Sequence, residues 1–175
     1  QVLRPADTIE TAECWQIALD SHKTPTVIAL TRQNLPTVRD AGAGNRCTSG
    51  AYILAGDASA PIRLIASGSE VQLALKAREL LAADGLAAAV VSMPSWELFA
   101  AQDAPYRQEV LGADGTVRVA CEAAAGFGWE RWLGTRGAFV GMNSFGASGK
   151  APDLYKHFGI TAEAIADAAR RLTNG

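Results

Sequence analysis

Cysteine and histidine are scarce in this chain of 175 residues, which has three of the former and two of the latter. Cys14, Cys47 and Cys121 are odd in number and form no C-x-x-C pair, while His22 and His157 are far apart in the sequence. Neither a disulfide framework nor a zinc site is supported by this pattern. We therefore expect a reducing compartment, the cytoplasm, and expect all three thiols to be small buried side chains.

The chain also lacks long apolar runs and blocks of like charge. No apolar run reaches the about 18 residues that a membrane-spanning helix needs. The first residues, QVLRPADTIE, lack the basic-then-apolar order of a signal peptide. A net charge of −2 without a basic stripe predicts neither nucleic acid nor a membrane as partner. Because the chain opens directly on a predicted strand, we expect it to be part of a longer protein.

The common phosphate and nucleophile motifs are absent as well. The stretch GASGKA departs from a P-loop, because Ser144 stands where a glycine is required and Ala151 follows Lys150 where a hydroxyl is required. The stretch GAGNRC has Cys47 in place of the third glycine of a dinucleotide fingerprint. No G-x-S-x-G elbow and no H-E-x-x-H pair occurs in the sequence.

What the chain does contain is an alternation of apolar strands and amphipathic helices. Residues 2–4 predict a strand, Asp7 or Thr8 predicts the cap of a helix that runs to residue 20, and Thr26 to Leu30 predict a second strand. Such a β-helix-β unit favours parallel strand pairing with a right-handed crossover. The glycine-rich residues 41–50 then predict a linker.

Beyond the linker the alternation continues and predicts an α/β fold. The expected strands are AYIL, IRLIAS, LAAAVVSMP, VRVACEA and GAFVGM. We expect a helix capped by Ser69 and ended by Gly85, one or two short helices within residues 95–112, and a last helix capped by Thr161. The short connection between the first two strands predicts a hairpin. The fold class is therefore a three-layer α/β/α domain with a mostly parallel sheet that carries one antiparallel strand.

Several polar residues follow predicted strands, where α/β proteins keep their ligands. The turn at Gly68 leads into a helix whose free N–H groups could hold an anion, although Ser69 as a simple cap is the more common arrangement. Glu122 ends a strand and could be a general base, a metal ligand or a rim residue, and the same alternatives hold for Asp57 and Asp103. With no partner carboxylate or histidine nearby in sequence, we expect no catalysis by these residues.

Arg32 is the remaining candidate, in the stretch VIALTRQNLP. It follows the second strand of the parallel unit, and its planar guanidinium suits a phosphate or a carboxylate. A structural alternative is that it caps backbone carbonyls or pairs with a nearby acid.

Several separate motifs agree in order and spacing with those of one enzyme family. They are RPAD, ETAECW, PTVIALTRQNLP, IASGSEVQLALKA, VVSMPSWELF, YRQEVL and GAFVGMNSFGASGKAPDLYKHFGIT. With these motifs the chain resembles the carboxyl-terminal part of a transketolase, from its first residues to its last helix. The resemblance implies that residues 1–40 are the end of the pyrimidine-binding middle domain, that residues 41–50 are a linker and that residues 51–175 are the C-terminal domain.

The resemblance also implies a reaction. Transketolases transfer a two-carbon ketol unit from a ketose phosphate to an aldose phosphate, in the pentose phosphate pathway and the Calvin cycle. They use thiamine diphosphate with Mg²⁺ or Ca²⁺ and work as homodimers. Arg32 matches the arginine of the family's S-R-Q-N motif, which contacts the phosphate of the sugar substrate, and Thr31 stands here in place of the serine.

The family's cofactor-binding motif, catalytic glutamate and active-site histidines have no match in this chain. The resemblance therefore implies no catalytic, cofactor-binding or metal-binding residue here, and it names the missing N-terminal and middle domains as partners. We expect the isolated chain to be inactive and to bind no thiamine diphosphate. The alternatives are a stand-alone regulatory or small-anion-binding domain, or part of a related thiamine enzyme such as deoxyxylulose-phosphate synthase. The motifs TRQNLP and VVSMPSWELF favour transketolase over the latter.

Overall fold

The structure is a computed structural model that describes residues 1–42 and 44–174. The strands are β1 (Val2–Leu3), β2 (Val27–Ile28), β3 (Tyr52–Ala55), β4 (Ile62–Ala66), β5 (Ala88–Ser92), β6 (Val117–Ala125) and β7 (Gly137–Met142). The helices are α1 (Thr8–Asp20), α2 (Val71–Ala83), α3 (Trp96–Ala100), α4 (Ala104–Leu111), α5 (Glu130–Leu133), α6 (Ala151–Phe158) and α7 (Ala162–Asn174). None of the helices in these residues combines the length and the apolar character needed to cross a membrane.

The amino-terminal unit consists of β1, α1 and β2. The side chain of Asp7 caps α1 by accepting a hydrogen bond from the Glu10 N–H at 2.8 Å, as predicted. The strands β1 and β2 pair in parallel, with Val2 opposite Val27, which confirms the predicted β-helix-β unit. Two strands of two residues each do not make a stable sheet, so this unit depends on packing against other elements.

The larger unit is a five-stranded sheet in the order β3-β5-β4-β6-β7. All pairings are parallel except that of β3 with β5. Side chains of α2 and α7 cover one face, where Leu64 and Val90 contribute to the core. Side chains of α3, α4 and α5 cover the other face, where Ile65 and Val91 contribute. The predicted three-layer α/β/α class with one antiparallel strand is confirmed.

The predicted hairpin between β3 and β4 is wrong, although β3 does run against the other strands. The strand β5 lies between the two, antiparallel to β3 and parallel to β4. All five residues of β4 are buried, which suits a central strand, whereas three of the four residues of β3 are only partly buried, which suits an edge. The burial of β4 on both faces therefore decides the order of the strands, although the short connection between β3 and β4 favours a hairpin.

The predicted end of the helix α2 is confirmed, whereas its predicted cap is wrong. At the carboxyl end Gly85 has a φ of 75°, and the Leu86 N–H donates to the Leu81 carbonyl at 2.9 Å. The predicted cap by Ser69 is wrong, because its hydroxyl donates instead to a carboxylate oxygen of Glu70 at 2.7 Å. A charged acceptor next to the hydroxyl competes with the backbone N–H groups for it.

Two arginines on neighbouring strands hold the carboxyl end of α4. Arg63 on β4 is fully buried and donates to the carbonyls of Val110 at 2.9 Å and Ala60 at 2.6 Å. Arg118 on β6 donates to the carbonyl of Leu111 at 2.9 Å. Positive charge is favourable at the carboxyl end of a helix, so these arginines have a structural role.

Glu10 joins the amino-terminal unit to the larger one. Its side chain is fully buried, and one carboxylate oxygen accepts from the Tyr52 hydroxyl at 2.5 Å and from the Ser92 hydroxyl at 2.6 Å. The other oxygen accepts from the Ala6 N–H at 2.7 Å. Burial raises the pKa of Glu10 despite these hydrogen bonds. A single carboxylate thus connects α1 with β3 and β5.

Glu13, one turn further along α1, fixes the segment that follows β2. It forms an ion pair with Arg39 at 2.6 Å and accepts from the N–H groups of Arg46 and Cys47, both at 3.1 Å. Burial acts to raise the pKa of Glu13, but the hydrogen bonds from Arg39 and Cys47 outweigh it and lower that pKa. Arg39 also donates to the Tyr52 hydroxyl at 2.9 Å. The predicted linker is therefore bound to α1.

The amino-terminal unit also exposes several large apolar side chains to solvent. Trp15 and Leu19 on α1 are 53% and 71% exposed, and Val27 and Leu30 at β2 are 60% and 55% exposed. Cys14, on the other side of the same helix, is fully buried against the larger unit. The unit is therefore packed at Cys14 and leaves four large apolar side chains exposed.

We expect Glu10→Gln to change how the stability of the chain depends on pH. Because burial raises the pKa of Glu10 above its ordinary value of 4.5, the folded chain retains a proton that the unfolded chain has released. The free energy of unfolding of the wild type therefore receives a contribution that falls as the pH rises above about 4.5. The variant lacks this titration. Urea unfolding of both proteins between about pH 4 and pH 8 measures the difference.

Glu79→Gln is the matched control, since Glu79 is an exposed glutamate on α2. Its effect on the free energy of unfolding should be small and nearly independent of pH. The raised pKa of Glu10 would be contradicted if the free energy of unfolding of the wild type, minus that of Glu10→Gln, stayed constant or grew with pH.

Candidate functional site

Segments from both units meet at the carboxyl edge of the larger sheet. They line a cleft of about 390 Å³, formed by Arg4 and Pro5 after β1, residues 29–31 and 33 after β2, residues 67–70 after β4, residues 122–124 of β6 and Tyr155 of α6. Because β4 and β6 are parallel neighbours, their carboxyl ends lie at the same edge. Clefts at this edge are where open α/β sheets bind ligands.

Arg4 attaches the end of β1 to this edge through its backbone. Its N–H donates to the Pro94 carbonyl at 2.8 Å, and its carbonyl accepts from the Gly68 N–H at 3.1 Å. These bonds reach the segments that follow β5 and β4. The Arg4 guanidinium also lies 3.3 Å from a carboxylate oxygen of Glu122.

Glu122, one of the predicted candidates, is buried and has several partners. One carboxylate oxygen accepts from the Ser67 hydroxyl at 3.0 Å, and the other accepts from the Trp129 indole N–H at 2.8 Å. With Arg4 beside it, this carboxylate binds three surrounding groups. Glu122 thus serves as an anchor between elements.

Glu70 is a second buried carboxylate in the cleft. One oxygen accepts from the Ser69 hydroxyl at 2.7 Å and from the Tyr155 hydroxyl, and the other accepts from the Ala123 N–H at 3.1 Å. Burial, together with the neighbouring Glu70 carboxylate, raises the pKa of Tyr155 to about 12. Tyr155 is therefore a neutral donor to Glu70 at ordinary pH.

These two carboxylates bear on the anion site considered at the Gly68 turn. An anion placed there would lie near the negative charges of Glu70 and Glu122, and such proximity is unfavourable. The hydroxyls of Ser67 and Ser69 are also engaged by the same carboxylates. The cleft therefore does not favour an anion at this turn.

Arg32 lies beyond β2 in the exposed segment Thr31–Asn34, which we call the Arg32 loop. Its side chain is exposed, and among residues 1–42 and 44–174 it forms no ion pair and no hydrogen bond. The structural alternatives, capping of carbonyls or pairing with an acid, are therefore not seen in this part of the chain. Thr31 and Gln33, on either side of it, both line the cleft.

The other two candidate carboxylates have local structural roles. Asp57 accepts from the N–H of Ser59 at 2.7 Å and from its hydroxyl at 2.6 Å, and these bonds lower the pKa of Asp57. Asp103 caps α4 by accepting from the Tyr106 N–H at 2.8 Å. Neither residue lines the cleft.

No metal site is assembled by the described residues. In residues 1–42 and 44–174, no three side chains of His, Cys, Asp or Glu are gathered in a way that could hold a metal ion. Cys14, Cys47 and Cys121 are free and buried, as predicted, and burial raises the pKa of Cys121. The residues present do not fit a metal-bound diphosphate.

The larger unit has the fold of a transketolase-like C-terminal domain, since residues 50–161 match the family model described as the transketolase-like TK C-terminal domain. Over 170 residues the chain is 55% identical to the transketolase of Cereibacter sphaeroides, an alignment that covers 97% of this chain and 26% of that protein. The chain belongs to the transketolase family.

Solved structures support the same assignment. The structure is similar to transketolase from Leishmania mexicana, with a TM-score of 0.89 and 43% identity over 99% of this chain and 25% of the other. It is also similar to Pichia stipitis transketolase in complex with sedoheptulose 7-phosphate, with a TM-score of 0.90 and 38% identity over 99% of this chain and 25% of the other. The chain thus spans about a quarter of the length of the relatives it matches.

Proposed function

We propose that this chain is the carboxyl-terminal part of a thiamine diphosphate-dependent transketolase and that it supplies Arg32 as a ligand for the substrate phosphate. The complete enzyme transfers a two-carbon ketol unit from a ketose phosphate to an aldose phosphate. The observation that carries this proposal is that Arg32 is exposed, has no partner among the described residues, and lies between Thr31 and Gln33, which both line the cleft. A solved relative in complex with a sugar phosphate supports it.

The role of Arg32 follows from the chemistry of its side chain. A guanidinium presents N–H groups in a rigid plane, which matches two oxygens of a phosphate and forms charge-assisted hydrogen bonds. The phosphate of a sugar lies several bonds away from the carbon atoms that react. Arg32 would therefore bind and orient the substrate and would take no part in bond making.

The amino-terminal unit fits the end of a larger domain. Its two-stranded sheet is too small to be stable alone, and it leaves four large apolar side chains exposed, those of Trp15, Leu19, Val27 and Leu30. Exposure of this many large apolar side chains on a small unit supports a contact with further protein. We therefore assign residues 1–40 to the end of the middle domain, residues 41–50 to the connection and residues 51–175 to the C-terminal domain.

The cofactor is assigned to the other parts of the enzyme. Thiamine diphosphate with Mg²⁺ or Ca²⁺ supplies the carbanion chemistry of ketol transfer, and the described residues offer neither a cluster of metal ligands nor a carboxylate that is free for proton transfer in the cleft. We further propose that the enzyme is a homodimer in the cytoplasm, that it requires the missing N-terminal and middle domains, and that this chain is inactive alone.

Arg32→Ala in the complete enzyme should raise the KM for a phosphorylated acceptor by about 10- to 100-fold, because charged hydrogen bonds of about 1.5–3 kcal/mol are lost. The KM for an unphosphorylated acceptor and the value of kcat should change little. Steady-state ketol transfer with both acceptors measures this. Arg171→Ala, which removes an exposed arginine on α7, is the control. Equal losses for both acceptors, or no change for either, would mean that Arg32 contacts no substrate.

Isothermal titration of thiamine diphosphate and Mg²⁺ into the isolated chain should give no saturable heat, because the chain provides no site for the metal-bound diphosphate. The same titration of the complete enzyme is the positive control. Binding with a micromolar Kd by the isolated chain would overturn the assignment of the cofactor to other domains.

Hydroxyl-radical labelling read by mass spectrometry tests the domain assignment. Trp15 and Leu19 should be oxidised in the isolated chain and protected in the complete enzyme, since further residues of the middle domain would cover them. Trp129 is fully buried in the larger unit and should stay unreactive in both samples. Equal oxidation of Trp15 in the two samples would show that no further residues pack there.

A further inference from the structure

The Arg32 loop is connected to the C-terminal domain by one inward-facing side chain. Thr31, Arg32 and Asn34 are exposed, whereas Gln33 is half-buried. The Gln33 side-chain amide donates to the Thr31 hydroxyl at 3.2 Å and to the Tyr155 hydroxyl at 3.4 Å. The two N–H groups of this amide are thus matched by one acceptor within the loop and one acceptor on α6.

The direction of these hydrogen bonds is set by Glu70. A tyrosine hydroxyl has a single proton, and that of Tyr155 is donated to the Glu70 carboxylate. Its oxygen is then left as an acceptor, which is what the Gln33 amide requires. Glu70 is itself held by the Ser69 hydroxyl at 2.7 Å and the Ala123 N–H at 3.1 Å. The chain of contacts therefore runs from the ends of β4 and β6 to the Arg32 loop.

The loop also has an internal support. The Gln33 backbone N–H donates to the Thr31 hydroxyl at 3.2 Å, so that this hydroxyl accepts from both the backbone and the side chain of Gln33. Arg32 lies between the two residues that these bonds join. Fixing the Gln33 side chain on Tyr155 therefore restricts the backbone that carries Arg32.

We propose that Tyr155 is a positioning residue, which holds the Arg32 loop through Gln33 and so orients the guanidinium toward the substrate phosphate. This inference rests on the proposed role of Arg32. It gives the C-terminal domain a part in the recognition of phosphorylated sugars without contact with the substrate. The energetic reason is that an exposed loop of four residues loses conformational freedom when it binds a ligand, and a loop that is already held loses less.

Tyr155→Phe in the complete enzyme tests the proposal, because it removes only the hydroxyl. We expect the KM for a phosphorylated acceptor to rise about three- to tenfold, as for the loss of one neutral hydrogen bond. The KM for an unphosphorylated acceptor should stay unchanged. In the Arg32→Ala background the same substitution should have no further effect, because Tyr155 acts through Arg32.

Tyr106→Phe is the matched control. The Tyr106 hydroxyl donates to the Ala51 carbonyl at 2.9 Å, away from the Arg32 loop. This variant removes a tyrosine hydroxyl from the same domain and should leave both KM values as they are. Gln33→Leu removes the other end of the contact with Tyr155 and should reproduce the effect of Tyr155→Phe. It serves as the test if thermal unfolding shows that Tyr155→Phe is not folded.

The outcomes separate this inference from the proposed function. If Arg32→Ala leaves the KM for the phosphorylated acceptor unchanged, the phosphate-binding role of Arg32 and the positioning role of Tyr155 are both wrong. If Arg32→Ala raises that KM but Tyr155→Phe and Gln33→Leu do not, Arg32 binds phosphate and the positioning role of Tyr155 is wrong. An equal effect of Tyr155→Phe on both acceptors, or an undiminished effect in the Arg32→Ala background, would also overturn it.

Discussion

The docking of α1 on the larger unit depends on the buried carboxylate of Glu10. It is out of contact with water and is held by two hydroxyls from the larger unit and one N–H from its own unit. Burial of a carboxylate is unfavourable unless its oxygens are bonded, and here they are. Because β2 pairs with β1 alone within residues 1–42 and 44–174, and β1 leads directly into α1, the docking of α1 also contributes to where the Arg32 loop lies relative to the cleft.

The parts of the fold that depend on local chemistry could be predicted from the sequence. Asp7 as a cap, Gly85 as a stop and the alternation of strands and helices each depend on residues within one turn or one strand. The order of strands could not be predicted in this way. The short connection after β3 indicates a hairpin, but the five buried residues of β4 require a neighbour on each side, and β5 takes one of these places. The cap at Ser69 was wrong because Glu70, the very next residue, accepts from its hydroxyl.

Some residues of the candidate site could likewise be predicted from the sequence, and others could not. Arg32 and Glu122 could be singled out because each follows or ends a strand, and position along a strand is visible in the sequence. The contact of Glu70 with Tyr155 joins residues that are 85 positions apart, and that of Gln33 with Tyr155 joins residues that are 122 apart. No periodicity or motif reports such contacts, because they depend on how α6 packs over the sheet edge. Tyr155 therefore carried no signal in the sequence, although it lines the cleft.

The connection between the two units has a mechanical consequence. The sequence predicts a linker at residues 41–50. In the structure, however, the Asn45 side chain donates to the Glu13 carbonyl at 2.8 Å, and the N–H groups of Arg46 and Cys47 donate to the Glu13 carboxylate. A rotation of one unit against the other would break these contacts together with those of Glu10. The connection therefore resists such a rotation instead of permitting it.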